Sequence, residues 1–247
     1  MKIIISPAKK MNIDTDSLPV QSEPVFLRDA EKIKKYMQAL SYEEAKRLWA
    51  CNDKIAELNF ARFREMDLKK NLTPAILSYE GIQYQYMAPA VFTEGALSYI
   101  QEHLRILSGF YGVLRPLDGI VPYRLEMQAG TKVEGSANLY DFWGGKIYGN
   151  VLDGDRTVIN LASKEYSRCI EHYLKPDDIF VTCVFGELKE GKIIQKGTLA
   201  KMARGEMVRY MAENNVTDLE GLKEFTGLGY QYQKDISKER DYIFLKK

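Results

Sequence analysis

Strand-like and helix-like segments follow one another along this chain without regular alternation, and that order restricts the fold more than composition does. A β-branched run at Lys2–Ile5 reads as a buried strand. Ser6-Pro7 ends it, because proline has no N–H to give to a ladder. Pro19 and Pro24 break the following stretch into loop. Helical spacing then dominates. It covers Leu27–Ala39, a segment opened by Ser41 with Glu44 at capping-box spacing, and a segment capped by Asn52 that runs to about Met66. Residues 75–79 and 82–86 read as strands across Glu80-Gly81, and Thr93 caps a helix over 94–107.

The second half is as mixed. Residues 123–127 alternate like a half-buried strand, with Arg124 and Glu126 on one face. A helix over 138–152 is weakened by Gly144 and Gly145. Thr157–Leu161 reads as a strand, Ser163 opens a helix to about Tyr173, and 179–187 with 192–196 form a hairpin across Glu190-Gly191. Residues 198–214 form an amphipathic helix with Leu199, Ala203, Met207, Tyr210 and Met211 on one face. A short helix after Thr217 leads to strands at 230–234 and 242–245. The Gly-x-Gly at 227–229 reads as a helix cap entering the first of them. Without a repeat, a linker or clean βα alternation, this pattern predicts one α+β domain over 1–247, a mixed sheet with surrounding helices.

Charge excludes little. The formal net charge is +1, so no bulk field points to nucleic acid or membrane, and any basic surface must come from segregation. The 16 tyrosines outnumber the 10 phenylalanines and suit half-wet clefts. Cys51, Cys169 and Cys183 match no metal or redox spacing and read as reduced thiols. The apolar start is too short for a secretory signal, and the longest uncharged stretch, 81–93, is too short to span a bilayer. A cytoplasmic protein with no membrane partner is expected. His103 and His172 stand far apart, so no metal site and no cofactor is expected. Walker, dinucleotide and nucleophile-elbow patterns are missing from the sequence.

The most unusual segment is 104–119. Read as a helix turning at Ser108, Gly109, Tyr111 and Gly112, it is helix-hairpin-helix-like, and its Gly109 and Gly112 amides would cradle a phosphate between Arg105 and Arg115. The Gly-x-x-Gly spacing and Pro116 depart from that pattern, and a capping glycine before a packed loop is the plainer alternative. Asn59 and Arg62 share a helical stripe with Ile55 and Leu58. Two polar groups therefore turn inward and require an ion pair or a ligand. Lys201 and Arg204 lie off the apolar face of the last long helix, where solvation is the default. No spacing singles out a catalytic residue.

Several blocks together resemble the YaaA family of peroxide-stress proteins. They are Ile4-Ile5-Ser6-Pro7-Ala8-Lys9, the segment 104–127, Asn59-x-Ala61-Arg62-Phe63, Leu139-Tyr140-x-Phe142-Trp143-Gly144, the segment 158–166, and Ala203-Arg204-Gly205. The matches keep the same order from residue 3 to about 215. The resemblance implies a compact α+β fold, a basic cleft, a helix-hairpin-helix-like element at 108–112, and binding of duplex or branched DNA without strong sequence preference. It also implies a link to lower free iron in the response to hydrogen peroxide. Cleft charge would then come from Lys9, Lys10, Arg62, Arg105, Arg115, Arg124, Lys201 and Arg204. Repair proteins are expected partners of a scaffold reading, which would show an exposed apolar patch. The rival is an enzyme for a small phosphorylated or nucleotide-like substrate, its pocket lined by Ser6, Lys9, Asn59, Arg62, Tyr140 and Asp141. Without a marked catalytic residue, the reading leans away from an enzyme.

Overall fold

In the computed structural model, which describes residues 1–246, the apolar run at the start becomes the middle of a sheet. The first elements are β1 (Lys2–Ile5), β2 (Lys10–Met11), α1 (Leu27–Ala39), α2 (Tyr42–Trp49), α3 (Asp53–Glu65), β3 (Thr73–Pro74), α4 (Ala75–Ser78), β4 (Tyr79–Glu80), α5 (Ile82–Met87) and α6 (Glu94–His103). There follow β5 (Leu104–Ser108), β6 (Gly112–Leu114), β7 (Gly119–Ile120), α7 (Leu139–Trp143), α8 (Lys146–Val151), β8 (Thr157–Leu161) and α9 (Lys164–Glu171). The last are β9 (Ile179–Lys189), β10 (Lys192–Ile194), α10 (Gly197–Glu213), α11 (Leu219–Lys223), β11 (Tyr230–Tyr232) and β12 (Asp241–Lys246).

The main sheet has eight strands in the order β11-β12-β9-β8-β1-β5-β6, with β10 paired to β9. Its inner strands β12, β9, β8, β1 and β5 run parallel. The flanking β11, β6 and β10 are antiparallel to their neighbours. The sheet is therefore mixed and the fold α+β, as expected. Parallel strands covered on both faces read as unbroken apolar runs. Ile3, Ile4 and Ile5 accordingly have no exposed surface.

Local signals hold where they are complete. Ser41 and Glu44 form the reciprocal capping box of α2, and the Asn52 side chain accepts the Ile55 amide at the start of α3. The segment 123–127 is alternately buried, yet among the described residues it pairs in no ladder and Met127 already lies in a turn. Residues 75–79 and 82–86 are not a strand pair. They form the short helices α4 and α5 around the two-residue β4, which pairs with β2. Gly144, at φ +48°, splits the predicted helix over 138–152 into α7 and α8.

The helix-hairpin-helix-like element is overturned. The helix capped by Thr93 stops at His103, because 104–108 are drawn into the sheet as β5 with Leu104 beside Ile3 and Ile106 beside Ile5. Residues 108–112 are the turn between antiparallel β5 and β6, and β6 leads to Pro116 and β7 without a second helix. This turn is buried. Its Ser108 hydroxyl accepts the amides of Phe110 (3.2 Å) and Tyr111 (2.8 Å), so those donors are satisfied internally. Gly109 is required by packing: a Cβ there would lie 2.6 Å from the Leu125 carbonyl oxygen. Gly109 and Gly112 are themselves buried, so the phosphate cradle expected of them does not face solvent.

The helix α10 lies across α5 and also touches α6 and β9. Their closest approach is at Gly205, where a Cβ would stand 2.1 Å from the Gln83 carbonyl oxygen. The obstacle is backbone and cannot rotate away. Gly205→Ala is expected to cost about 1–3 kcal/mol and to lower Tm by roughly 3–10 °C. A thermal melt checks it, and an unchanged Tm would show that α10 and α5 do not meet so closely.

Candidate functional site

The carboxyl ends of β1 and β8 are where the connections of the sheet part. From β1 the chain returns as β5 on one side, while from β8 it continues to β9 on the other. In open sheets with parallel strands such a switch leaves a crevice, the usual place for a ligand. A cavity of about 430 Å³ opens there, bordered by 6–10 after β1 and by Ser163, Glu165 and Tyr166 after β8.

Its floor is a clasp between the two strand ends. The Ser163 amide donates to Ser6 Oγ (2.8 Å), and the hydroxyls of Ser6 and Ser163 are 3.2 Å apart. The Ser163 hydroxyl is thereby held away from the start of α9, which it does not cap. The Tyr84 hydroxyl donates to the Ser6 carbonyl (3.0 Å) and the Gln83 side-chain amide to the Leu161 carbonyl (3.4 Å), so α5 is fastened over both ends. Beneath lies a buried hydroxyl chain: Tyr79 to Tyr123 at 2.8 Å and Tyr123 to Ser108 at 2.6 Å.

Five cations border the cavity, Lys9, Lys10, Arg124, Lys201 and Arg204, against three carboxylates, Glu80, Glu126 and Glu165. Glu126 holds Lys9 at 2.9 Å and Arg124 at 3.1 Å, and Glu80 holds Lys10 at 2.6 Å. The expected pairing of Arg124 with Glu126 is present. Lys201 is exposed on α10. Arg204 is different: it is largely desolvated, which lowers its pKa, and its Nε is buried without a hydrogen-bond partner among the described residues. Arg124 Nε is likewise buried and unpartnered. A desolvated guanidinium with unmet donors is costly until an anion or acceptor reaches it. Burial also pushes the Glu165 carboxyl up, while the Gln128 amide donates to it at 3.3 Å. The cavity therefore favours an anion on its α10 side.

The other candidate residues lie elsewhere. Arg105 and Arg115 sit at the amino end of β5, on a separate cavity of about 230 Å³ beside Ser22 and Asp118. Arg105 is buried, donates to the carbonyls of Leu104 (2.7 Å) and Gln101 (3.3 Å), and has its pKa lowered to about 10 by burial. One groove gathering all eight cations does not form. Asn59 is buried and Arg62 half-buried, although Leu58 of their stripe is exposed, and Arg62 donates to Asn59 Oδ1 and the Met11 carbonyl, both at 3.4 Å, rather than to a carboxylate. Tyr140 is joined to the site by its hydroxyl bond to the Glu165 carbonyl (2.9 Å), and Asp141 accepts the Ala137 amide at the start of α7. Sequence reasoning missed Gln83, Tyr84, Glu165 and Tyr166 as site residues. The available signal was a pair of apolar runs, 2–5 and 157–161, each followed within two residues by serine.

Among the described residues, no group of three or more His, Cys, Asp or Glu is placed to hold a metal ion, and no helix is long and apolar enough to cross a membrane.

A family model described as "Peroxide stress protein YaaA" matches residues 1–236, further than the blocks legible by eye. The chain is similar to a UPF0246 protein of Desulfitobacterium hafniense (strain Y51), 54% identical over 246 residues, 100% of this chain and 98% of the relative. It is 55% identical to a UPF0246 protein of Pediococcus pentosaceus over 246 residues (100% and 98%). A third, from Lachnoclostridium phytofermentans, is 54% identical over 246 residues (100% and 96%).

Given those relatives, the thiols matter. Cys169 and Cys183 are buried, and burial pushes both up to about 12. Peroxide attacks thiolate, so these two are inert at neutral pH. In the folded chain treated with hydrogen peroxide, dimedone trapping followed by mass spectrometry is expected to find neither as sulfenic acid. Adducts at either, formed as fast as in the unfolded chain, would overturn this.

Proposed function

The chain belongs to the YaaA family of peroxide stress proteins, and from that premise we propose that it serves the peroxide response by binding DNA through phosphates at the crevice over β1 and β8. One observation carries the reading: Arg204, desolvated and without a carboxylate partner among the described residues, lines with Lys201 a cavity that Lys9, Lys10 and Arg124 also border. Contacts of this kind fix a strand's position without reading its bases, which suits binding of duplex or branched DNA alike. The charge is local, so the footprint is small. Two or three phosphates are within reach of one such crevice, not the larger number a continuous groove would neutralise.

A second reading has its own support. At about 430 Å³ the cavity is on the scale of small-ligand pockets, which fits a small phosphorylated substrate handled by an enzyme. A duplex is excluded from a space of this size and would have to lie across its mouth.

DNA affinity is expected to fall with salt at a log–log slope of about −2 to −3, from roughly 0.9 per phosphate neutralised. Lys201→Ala combined with Arg204→Gln should weaken binding about tenfold or more and make the slope shallower by 1–2. Arg115→Ala, on the separate cavity beside Ser22 and Asp118, should leave both unchanged. Salt-titrated binding measurements check this. A flat salt response, or equal losses from Arg115→Ala, would remove the proposal.

A further inference from the structure

The cavity is more than a charged spot. Apart from its cationic rims, it is walled by Pro7, Ala8, Ile82, Tyr84, Leu125 and Tyr166. Tyr84, Leu125 and Tyr166 are largely withdrawn from solvent. A site for phosphate alone has no use for such walls, because a hydrated anion gains nothing from apolar surface. A flat heterocycle does, since bases stack on aromatic and apolar faces regardless of sequence. The volume suits one ring system with its sugar. Cations stand at one side of that space: Lys201 and Arg204 are one helical turn apart on α10, so both reach the same anion. Hydrogen-bonding groups suited to a base edge, the Glu165 and Glu126 carboxylates and the Gln83 side chain, border the same space.

We propose that this cavity receives a single nucleotide of a DNA strand, taken out of the stack or unpaired at an end, with its base between the apolar walls and its phosphate against Lys201 and Arg204. The proposal rests on the DNA-binding reading and adds to it that the bound DNA is recognised where a base is free to leave the helix. Extrusion costs least at a mismatch, an overhang or a junction, so the pocket converts structural irregularity into affinity. The same chemistry is carried by a free nucleoside 5′-phosphate, and the two sources are separable.

Binding of the full chain to a blunt duplex, to the same duplex with a central mismatch or a one-nucleotide overhang, and to free dAMP is measured at one salt concentration. The irregular duplexes are expected to bind about tenfold tighter than the blunt one, as one stacked base contributes, and dAMP should abolish that margin where inorganic phosphate does not. Ala8→Phe and Ile82→Trp, which fill the wall without touching a cation, should erase the preference. Two substitutions are used because either alone could disturb the packing of α5, and circular dichroism reports which remain folded. Equal affinity for all duplexes with no effect of dAMP overturns the nucleotide pocket and leaves phosphate binding standing. Competition by phosphate as strong as by dAMP also overturns it. Binding of dAMP with no DNA binding at all overturns both this inference and the reading beneath it.

Discussion

The ladder that β1 forms on both of its edges is the constraint on which the rest depends. Ile3, Ile4 and Ile5 pair with β8 on one side and β5 on the other, and all three are fully enclosed. At about 25 cal/mol per Å² of apolar surface, three buried isoleucines contribute on the order of several kcal/mol against leaving the strand exposed. Two consequences follow from the same pairing. The parallel register brings Ser6 and Ser163 side by side, which makes the floor of the cavity. The demand of the second edge for a partner pulls 104–106 out of the preceding helix.

That second consequence explains where sequence reasoning failed. The spacing of Leu97, Ile100, Leu104 and Leu107 continues a helical stripe past His103, and nothing local marks the change to strand. A tertiary demand decides it. One misjudged boundary then displaced a whole set of functional expectations: on a helix Arg105 would face solvent, whereas on β5 it is buried. The glycines that looked like a phosphate cradle are there because Leu125 and Trp143 pack against them. The segment 75–87 failed for a related reason. Its tyrosines and isoleucines favour strands, but Gly205 lets α10 approach so closely that a helix at 82–87 is the surface it meets. Elements with complete local instructions were legible: the capping box of α2, the Asn52 cap of α3, the β9–β10 hairpin over Glu190-Gly191, and α10 itself.

The site was half legible for the same physical cause. Ser6, Lys9, Lys10, Arg124, Lys201 and Arg204 were visible as residues near strand ends or off apolar helix faces. Which of them meet depends on strand order, and strand order is not written locally. The default assignment of Lys201 and Arg204 to a solvated helix face holds for Lys201, which is exposed, and fails for Arg204, which is largely desolvated beside Cys183 of β9.

Counting cations therefore misjudges this crevice. The pairs made by Lys9 and Lys10 are exposed, with side chains 65% and 74% accessible, and such pairs are worth about 0–1 kcal/mol. An arriving phosphate separates them at little cost, and they add correspondingly little selectivity. Arg204 is largely desolvated, and its Nε finds no acceptor among the described residues. A phosphate reaching it has less hydration to strip from the guanidinium, because folding has removed part of it. The desolvation normally charged against a buried ion pair thus falls partly on the stability of the fold instead of on binding. A chain with a formal charge of +1 can hold an anion on those terms: what it needs is one cation prepaid in this sense and a rigid β1–β8 floor to keep it there, not a field spread over the surface.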